Sequence, residues 1–139
     1  MLKQLSVFIQ NKIGSLSGVT SVLKANNINL RAISSYDTPD FTILRMVVDQ
    51  PDKAKDLLAD SGYGVSITCI VAVELEDKPG ELHGMLEVVA KACIGVNYIY
   101  SIVRRNGGAP LIVLNTDKLE KTAEVLKDKG YIVISQEDL

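Results

Sequence analysis

Lys78-Pro79-Gly80-Glu81-Leu82 repeats the pattern of Lys12-Ile13-Gly14-Ser15-Leu16 at an offset of 66 residues (80 − 14 = 66). Gly18 falls on Gly84 at the same offset. A basic residue, a glycine and a leucine therefore recur in the same order and at the same spacing. Self-similarity at a fixed offset is the sequence signature of an internal duplication. We therefore expect this 139-residue chain to fold as two copies of one small module.

The later part of each module continues the match after a small gap. We place an insertion of two residues directly after the first helix, so that Ile28-Asn29-Leu30 pairs with Val96-Asn97-Tyr98 at an offset of 68 (97 − 29 = 68). Gly62-Tyr63 and Gly130-Tyr131 keep that offset (130 − 62 = 68). Matches that stay in order across a single gap support the duplication.

Each predicted module, residues 1–67 and residues 68–139, reads as strand, helix, strand, strand, helix, strand. Leu5, Val7 and Ile9 alternate with less apolar neighbours, as in a strand with one buried face. The order βαββαβ places both helices on one face of an antiparallel sheet. The predicted fold is therefore α+β, with two ferredoxin-like modules packed side by side. Their strands would form a continuous antiparallel sheet with the helices on one face, because this pairing removes an exposed sheet edge.

Turn and cap residues mark the boundaries of the predicted elements. Asp52 and Asp117 stand where the second helix of each module begins, and aspartate is a favoured N-cap. Asn27 and Gly95 are equivalent at the second offset, and both residue types tolerate the left-handed conformation that ends a helix. Asn106-Gly107 predicts a tight hairpin between two strands of the second module.

Composition restricts the class of protein. Hydrophobic residues make up 47% of the chain and charged residues 23%, as in folded globular domains. A net charge of −2 argues against a surface that binds nucleic acid through its phosphates. The chain contains no apolar stretch of about 20 residues that would cross a membrane, and its beginning does not resemble a secretion signal. We expect a cytoplasmic protein with no membrane or nucleic-acid partner.

The loop between the first strand and first helix of each module carries the chemistry. A proline or glycine at a helix start leaves the first backbone N–H groups free, and these groups and the helix dipole favour an anion such as a carboxylate. Asn11 or Asp77, just upstream, can accept hydrogen bonds from an ammonium group. Together these groups describe a site for a free amino acid. The alternative is that each loop only starts a helix.

The second module resembles the ACT domain, a regulatory module that binds small molecules in amino-acid metabolism. The resemblance rests on Asp77-Lys78-Pro79-Gly80-Glu81-Leu82 and on Gly95-Val96-Asn97. The first module keeps most of this pattern, but Ile13 replaces the usual proline and Asn27 replaces the glycine. The resemblance covers residues 1–139 as a tandem pair, without an attached catalytic domain.

The resemblance implies a non-enzymatic protein that binds an amino acid and regulates a partner, with the ligand at a module interface. In this family the effector commonly lies where the loop of one module meets the second strand of its neighbour. The loop contacts implied are Asn11, Ile13, Gly14, Ser15, Leu16, Asp77, Pro79, Gly80, Glu81 and Leu82. The strand contacts implied are Asn29, Leu30, Asn97 and Tyr98.

We also expect a homodimer, because two small modules still leave a sheet face and outer strand edges exposed. We expect a regulated enzyme or regulator as partner, and no cofactor; a metal site is not expected, because the cysteines have no CxxC motif or histidine partner. Two alternatives stay open: a ligand-free pairing module that acts only in oligomerisation or partner binding, and an acylphosphatase-like hydrolase. The hydrolase is disfavoured because the first loop lacks a basic phosphate cradle. His83 is expected at the surface, whereas Cys69 and Cys93 are expected in the core. Two cysteines do not form a disulfide framework.

Overall fold

The computed structural model describes residues 1–102, 104 and 107–139. Seven strands, four α-helices and a short 3-10 helix follow one another along these residues, which confirms the α+β class. The predicted turn at Asn106-Gly107 lies partly outside the described residues. The elements are β1 Leu2–Gln10, α1 Ser15–Ala25, β2 Leu30–Asp37, β3 Phe41–Val48, α2 Pro51–Asp60, β4 Gly64–Glu74, α3 Glu81–Lys91, β5 Val96–Ile102, β6 Leu111–Thr116, α4 Leu119–Asp128, β7 Ile132–Ile134 and the 3-10 helix Gln136–Asp138.

The chain divides into two compact units. The first is Lys3–Thr68, and the second is Cys69–Leu139 together with Met1–Leu2. Strand β4 supplies residues to both units, because it runs through the point of division. The module boundaries at residues 1–67 and 68–139 remain our proposal.

The first unit has the strand order β2-β3-β1-β4, in which β3 pairs antiparallel with both β1 and β2. Its core lies between one face of this sheet and the apolar sides of α1 and α2. Leu5, Val7 and Ile9 of β1 lie in this core as predicted, but Gln4 and Ser6 between them are also buried, so burial alternates only toward the end of the strand. The buried residues of this core are Leu5, Val7, Ile9, Val19, Leu23, Ile28, Leu44, Met46, Val48, Ala54 and Leu58.

The second unit repeats this architecture with the strand order β7-β4-β6-β5. Strand β4 pairs antiparallel with β6 and β7, and β5 pairs antiparallel with β6. The ferredoxin-like order of elements is thereby confirmed in each unit. The buried residues of the second core are Val71, Val73, Leu75, Met85, Val89, Ile94, Leu114 and Leu126.

The position predicted for the two-residue insertion is wrong. Leu30 pairs with Val48 in the first unit, and Val96 pairs with Thr116 in the second. The equivalent of Leu30 is therefore Val96, at an offset of 66 (96 − 30 = 66), not Tyr98. Tyr36 pairs with Ile43 and its counterpart Ile102 pairs with Leu111, so the offset reaches 68 only in the hairpin between those strands (111 − 43 = 68).

The corrected alignment changes which residues end the first helices. Asn27 has a φ of 54° and Cys93 a φ of 56°, and these two residues are 66 positions apart. Both occupy the left-handed conformation, which asparagine adopts more readily than most residues. The equivalence predicted between Asn27 and Gly95 is therefore wrong, because Cys93 holds that position in the second unit.

The predicted caps of the second helices are also wrong. Gln50 and Lys118 occupy the N-cap positions, and neither side chain caps its helix. Asp52 lies inside the first turn of α2, where its carboxylate accepts a hydrogen bond from Lys3 Nζ at 2.7 Å. Asp117 instead accepts the backbone N–H of Gly95 at 2.9 Å. These aspartates therefore join a helix start to a distant part of the same unit.

Candidate functional site

The loops before α1 and α3 have the same backbone geometry. Gly14 has a φ of 85° and Gly80 a φ of 91°, and each is the N-cap of its helix. These are left-handed conformations, which a residue with a Cβ adopts only with strain. A Cβ at either glycine would meet nothing within 4 Å, so the backbone conformation rather than crowding requires glycine.

No side chain caps α1 or α3. The first N–H groups of a helix have no acceptor within the helix, and they carry the positive end of the helix dipole. Ser15 and Glu81 each donate their N–H to the carbonyl three residues upstream, at 3.2 and 3.3 Å. The remaining donors at each helix start are available to an external group.

A cavity of about 460 Å³ lies beside the loop of the first unit. Lys12 lines this cavity, and its ammonium group forms no ion pair with another described residue. The first turn of α1 contains no acidic residue. The cavity therefore combines a helix N-terminus with an unpaired cation. Its lining residues are Phe8, Ile9, Gln10, Lys12, Ile13, Gly14, Ser15, Gly62 and Tyr63.

The corresponding cavity of the second unit is smaller and acidic. It has a volume of about 280 Å³, and Glu74, Glu76 and Glu81 line it. Lys78, the counterpart of Lys12, forms an ion pair with Glu76. The hydrogen bond to Glu76 and the charge of that carboxylate raise the pKa of Lys78 above its ordinary value. Glu74 is paired with Arg104 at 2.7 Å, which leaves Glu81 as the lining carboxylate without an ion pair to another described residue. The two cavities therefore differ in charge although the loops share a backbone.

Two tyrosines that the sequence did not identify as site residues line these cavities. Tyr63 lines the first cavity and Tyr131 the second. A Cβ at Gly18 would lie 2.6 Å from the Tyr63 hydroxyl oxygen, and a Cβ at Gly84 would lie 3.6 Å from that of Tyr131. In each unit the tyrosine therefore reaches the first helix at its second turn. The sequence signal that could have identified these tyrosines is that Gly18 and Tyr63 both recur in the second unit, as Gly84 and Tyr131.

The predicted loop residues surround the helix starts, but several of them are exposed apolar side chains. Ile13 is fully exposed, and Leu16 and Leu82 are 48% and 38% exposed. Asn11 donates from Nδ2 to the carbonyl oxygen of Thr38 at 3.3 Å, which joins the loop to the turn between β2 and β3. The exposed predicted residues also include Gly14, Asp77, Pro79 and Gly80.

Within a unit, the structure does not bring the predicted strand residues to the loop. Gln10, at the end of β1, pairs with Phe41 at the start of β3, whereas Leu30 pairs with Val48 at the end of β3. The loop and the start of β2 therefore lie at opposite ends of the sheet. The second unit has the same arrangement, since Glu74 pairs with Leu111 and Val96 with Thr116.

The four predicted strand residues make mostly local contacts. Asn29 donates its backbone N–H to Asp49 Oδ1 at 3.0 Å, and Asn97 donates from Nδ2 to Asn115 Oδ1 at 2.8 Å. Tyr98 stacks on Tyr100 with ring centroids 6.4 Å apart. Leu30 packs against the core of its unit.

The remaining reactive side chains lie at the surface. His83 is exposed as predicted, and its Nε2 lies 3.8 Å from Glu87 Oε1. Cys69 and Cys93 are exposed, so their predicted burial is wrong. Cys93 ends α3, where the chain turns at the surface. Among the described residues, no three histidine, cysteine, aspartate or glutamate side chains form a group that could hold a metal ion. No described helix is both long and apolar enough to cross a membrane.

Comparison with known proteins supports the fold and its duplication. The family model described as "ACT domain pair" matches residues 1–139. Protein BT0572 from Bacteroides thetaiotaomicron is 36% identical, with 99% of this chain and 94% of that chain covered and a TM-score of 0.91. The regulatory subunit of aspartate kinase from Thermus thermophilus is 16% identical, with 91% of each chain covered and a TM-score of 0.64. None of the curated proteins matches the chain.

Proposed function

Because the chain belongs to the ACT domain pair family, we propose that it is a non-enzymatic regulatory protein that binds a free amino acid. The family contributes the general role, and the charge of the two loop cavities indicates where the ligand would bind. We place the principal site in the first unit, beside the start of α1.

One observation carries this proposal: the unpaired ammonium group of Lys12 lines the same cavity as the uncapped start of α1. A carboxylate there would accept hydrogen bonds from the free N–H groups of the first turn and would be attracted by Lys12. Asn11 donates from Nδ2 to Thr38, which leaves its amide oxygen to accept a hydrogen bond from the ligand ammonium group.

The hydrophobic part of the ligand would meet the apolar residues of the same cavity. Phe8 and Ile9 line it, and the fully exposed Ile13 stands at its rim. Binding would remove part of this surface from water, which stabilises the complex. Tyr63 is a further residue of the lining.

The second unit is the weaker candidate for the same ligand. Its cavity contains three glutamates, and its lysine is already paired with Glu76. We therefore assign Asp77, Pro79, Gly80, Glu81 and Leu82 to the maintenance of the helix start rather than to carboxylate binding. We also propose a cytoplasmic location, and a regulated enzyme or regulator as the protein partner.

A second candidate function is pairing without a ligand. Phe8, Tyr36 and Phe41 are 49%, 59% and 41% exposed on strands of the first unit. Exposed aromatic side chains on one sheet favour association with another protein surface. Both functions can occur in one protein, so we also propose a homodimer.

Thermal unfolding in the presence of each of the twenty amino acids tests the binding function. A ligand present at one hundred times its Kd stabilises the folded state by about 2.7 kcal/mol, so a true ligand raises the Tm. The decisive variants are Lys12→Met and Lys78→Met, because these lysines are equivalent in the two loops but only Lys78 is paired with a carboxylate. We expect Lys12→Met to weaken binding about tenfold or more and Lys78→Met to bind like the parent chain.

Two results would contradict the proposal. If no amino acid raises the Tm of the parent chain, the pairing function remains and the binding function is wrong. If an amino acid binds but Lys12→Met and Lys78→Met have equal affinities, the ligand is not held beside α1. Amidation of the ligand carboxylate provides a further control. The amide should lose affinity for the parent chain and lose less for Lys12→Met, where only the N–H groups of α1 remain to bind the carboxylate.

A further inference from the structure

The two loop cavities are built on equivalent positions, and three of these positions carry residues of different charge. The residues concerned are Phe8, Gln10 and Ser15 in the first cavity and, at the offset of 66, Glu74, Glu76 and Glu81 in the second (74 − 8 = 66). A glycine and a tyrosine line each cavity at a further pair of equivalent positions. The difference in charge therefore comes from the exchange of neutral residues for glutamates on a shared backbone.

The charges of the first cavity disfavour a ligand with a charged side chain. Among the described residues that line this cavity, Lys12 carries the one charged group. In the proposed function its ammonium group attracts the carboxylate of the amino acid. A second carboxylate on the ligand would find no further cation in the lining, and an ammonium group on the ligand side chain would find no carboxylate. A charged group that leaves water without gaining a partner lowers the affinity.

The neutral part of the first cavity is largely apolar. Ile9 is buried in the core of the unit, whereas Phe8 is 49% exposed and Ile13 is fully exposed. The cavity therefore offers a fixed apolar base and apolar surface that a ligand can cover. Each CH₂ group that a ligand buries strengthens binding about fourfold. The volume of about 460 Å³ lies within the range of about 300–1,000 Å³ that is usual for ligand pockets.

The ring of Phe8 lies where the first unit has a glycine and the second unit has a large side chain. A Cβ at Gly64 would lie 3.8 Å from Phe8 Cδ2, so the ring is next to the start of β4. In the second unit Glu74 is directly opposite Ile132, which is the counterpart of Gly64 (132 − 64 = 68). The first unit therefore combines a phenyl ring with a glycine where the second combines a carboxylate with an isoleucine. Phe8 is the apolar residue that most distinguishes the first cavity from the second.

We propose that the cavity of the first unit selects a carboxylate ligand with an apolar, uncharged side chain, as in the apolar amino acids, and that Phe8 determines this selectivity. The proposal rests on the proposed function, which supplies the cavity and the contact of the ligand carboxylate with Lys12. It adds the class of side chain. A side chain of this class contacts Phe8 and Ile9, whereas a charged side chain would leave its charge without a partner.

Isothermal titration with pairs of amino acids of similar shape tests the selectivity. Norleucine and lysine have unbranched side chains of similar length, but norleucine ends in a methyl group and lysine in an ammonium group. Leucine and aspartate have side chains with the same branching, and alanine is the short apolar reference. We expect norleucine to bind at least about tenfold more tightly than lysine and alanine, and leucine at least about tenfold more tightly than aspartate.

Two substitutions of Phe8 test its role. Phe8→Glu introduces the residue of the second cavity, and Phe8→Gln has nearly the same shape without the charge. Both remove the ring, so effects on folding or self-association are common to the two variants, and they act on norleucine and lysine binding alike. We expect the preference for norleucine over lysine to be at least about tenfold lower in Phe8→Glu than in Phe8→Gln.

Tyr36→Gln is the matched control for the loss of an aromatic side chain. Phe8 and Tyr36 are both directly opposite Ile43 in the sheet, but Tyr36 is not among the residues that line the cavity. Its preference for norleucine over lysine should equal that of the parent chain. A Tyr36→Gln variant that loses the preference as far as Phe8→Gln does would contradict the assignment to Phe8.

The failures of the two proposals are distinguishable. If lysine or aspartate binds more tightly than its apolar partner, with an affinity that depends on Lys12, the present inference is overturned and the proposed function stands. Equal preferences in Phe8→Glu and Phe8→Gln would also overturn the inference. If no amino acid binds but 4-methylpentanoate, which is leucine without its ammonium group, binds in a manner that depends on Lys12 and Phe8, the proposed function is wrong and the inference stands. If no probe binds, both are overturned.

Discussion

Gly18 and Gly84 are equivalent residues, but the neighbouring tyrosine hydroxyl lies one ångström closer to the Cβ position of Gly18 than to that of Gly84. A Cβ at Gly18 would lie 2.6 Å from the Tyr63 hydroxyl oxygen, which is closer than contact allows, whereas a Cβ at Gly84 would lie 3.6 Å from that of Tyr131. Both glycines lie inside helices, where alanine is more favourable by about 1 kcal/mol. The same substitution should therefore have different effects in the two units.

We expect Gly84→Ala to raise the free energy of unfolding by about 0.5–1 kcal/mol, because helix propensity acts alone there. Gly18→Ala should gain less or lose stability, because Tyr63 must move. Urea unfolding of both variants measures the difference. In a Tyr63→Phe background the hydroxyl is absent, so Gly18→Ala should then behave like Gly84→Ala. Equal effects in the parent background would show that Tyr63 moves without cost.

At the scale of the element, the short 3-10 helix Gln136–Asp138 is closed by a reciprocal cap. Asp138 Oδ2 accepts hydrogen bonds from the Ser135 hydroxyl at 2.7 Å and from the Ser135 backbone N–H at 2.9 Å. These bonds lower the pKa of Asp138 below its ordinary value of 3.8. The bond from the hydroxyl has the largest effect, and the bond from the backbone N–H has the next largest. The cap therefore stabilises the element when the carboxylate is ionised.

The sign of the pH dependence follows from that lowered pKa. A carboxyl group with a lower pKa in the folded state contributes stability above its unfolded pKa, and the contribution is lost as the pH falls through the folded pKa. We expect Ser135→Ala to raise the pKa of Asp138 toward its ordinary value, with part of the shift retained because the backbone donor remains. Titration of the carboxyl carbon by NMR measures both values. An unchanged pKa would show that the hydroxyl contributes nothing.

The loop before each first helix shows that one backbone can serve two electrostatic environments. Gly14 and Gly80 set the same turn, but Lys78 is paired with Glu76, whereas Lys12 forms no ion pair within the part of the chain that the structure describes. The two copies therefore share the backbone conformation of the loop but differ in the charge beside it. For this reason we propose the first unit, whose loop has Ile13 in place of proline, as the better candidate for carboxylate binding.

At the scale of the whole molecule, the prediction concerns self-association. We call Phe8, Tyr36, Phe41 and Ile43 the aromatic patch. Phe8 and Tyr36 are both directly opposite Ile43 in the sheet, so the three share a face, and the rings of Phe8 and Phe41 lie 6.4 Å apart. Exposed aromatic residues are the side chains that most often dominate the energy of a protein interface.

We expect the chain to sediment as a dimer at micromolar concentration. Phe8→Ser should weaken the dimer about tenfold or more, because burial of a phenylalanine side chain contributes about 1.5–3 kcal/mol. Ile132→Ser is the matched control, because Ile132 is also exposed but lies on β7 of the second unit. Analytical ultracentrifugation across a concentration series compares the three proteins. A parent chain that remains a monomer throughout would contradict the dimer, and equal effects of both substitutions would place the interface elsewhere.

The duplication, the order of elements and the two loops could be predicted without a structure, because each depends on local chemistry. Apolar residues alternate in β1 because one face of the sheet is buried. Gly14 and Gly80 mark turns with a left-handed backbone conformation, which few other residue types adopt. Each of these signals involves residues that are close together in the chain, so it can be recognised from the sequence alone.

The register and the caps required tertiary structure. The two-residue insertion could be placed after the first helix or in the following hairpin with similar sequence matches, and only the pairing of β2 with β3 and of β5 with β6 located it in the hairpin. Such pairings join residues that are distant in the chain, and they arise only when the strands come together.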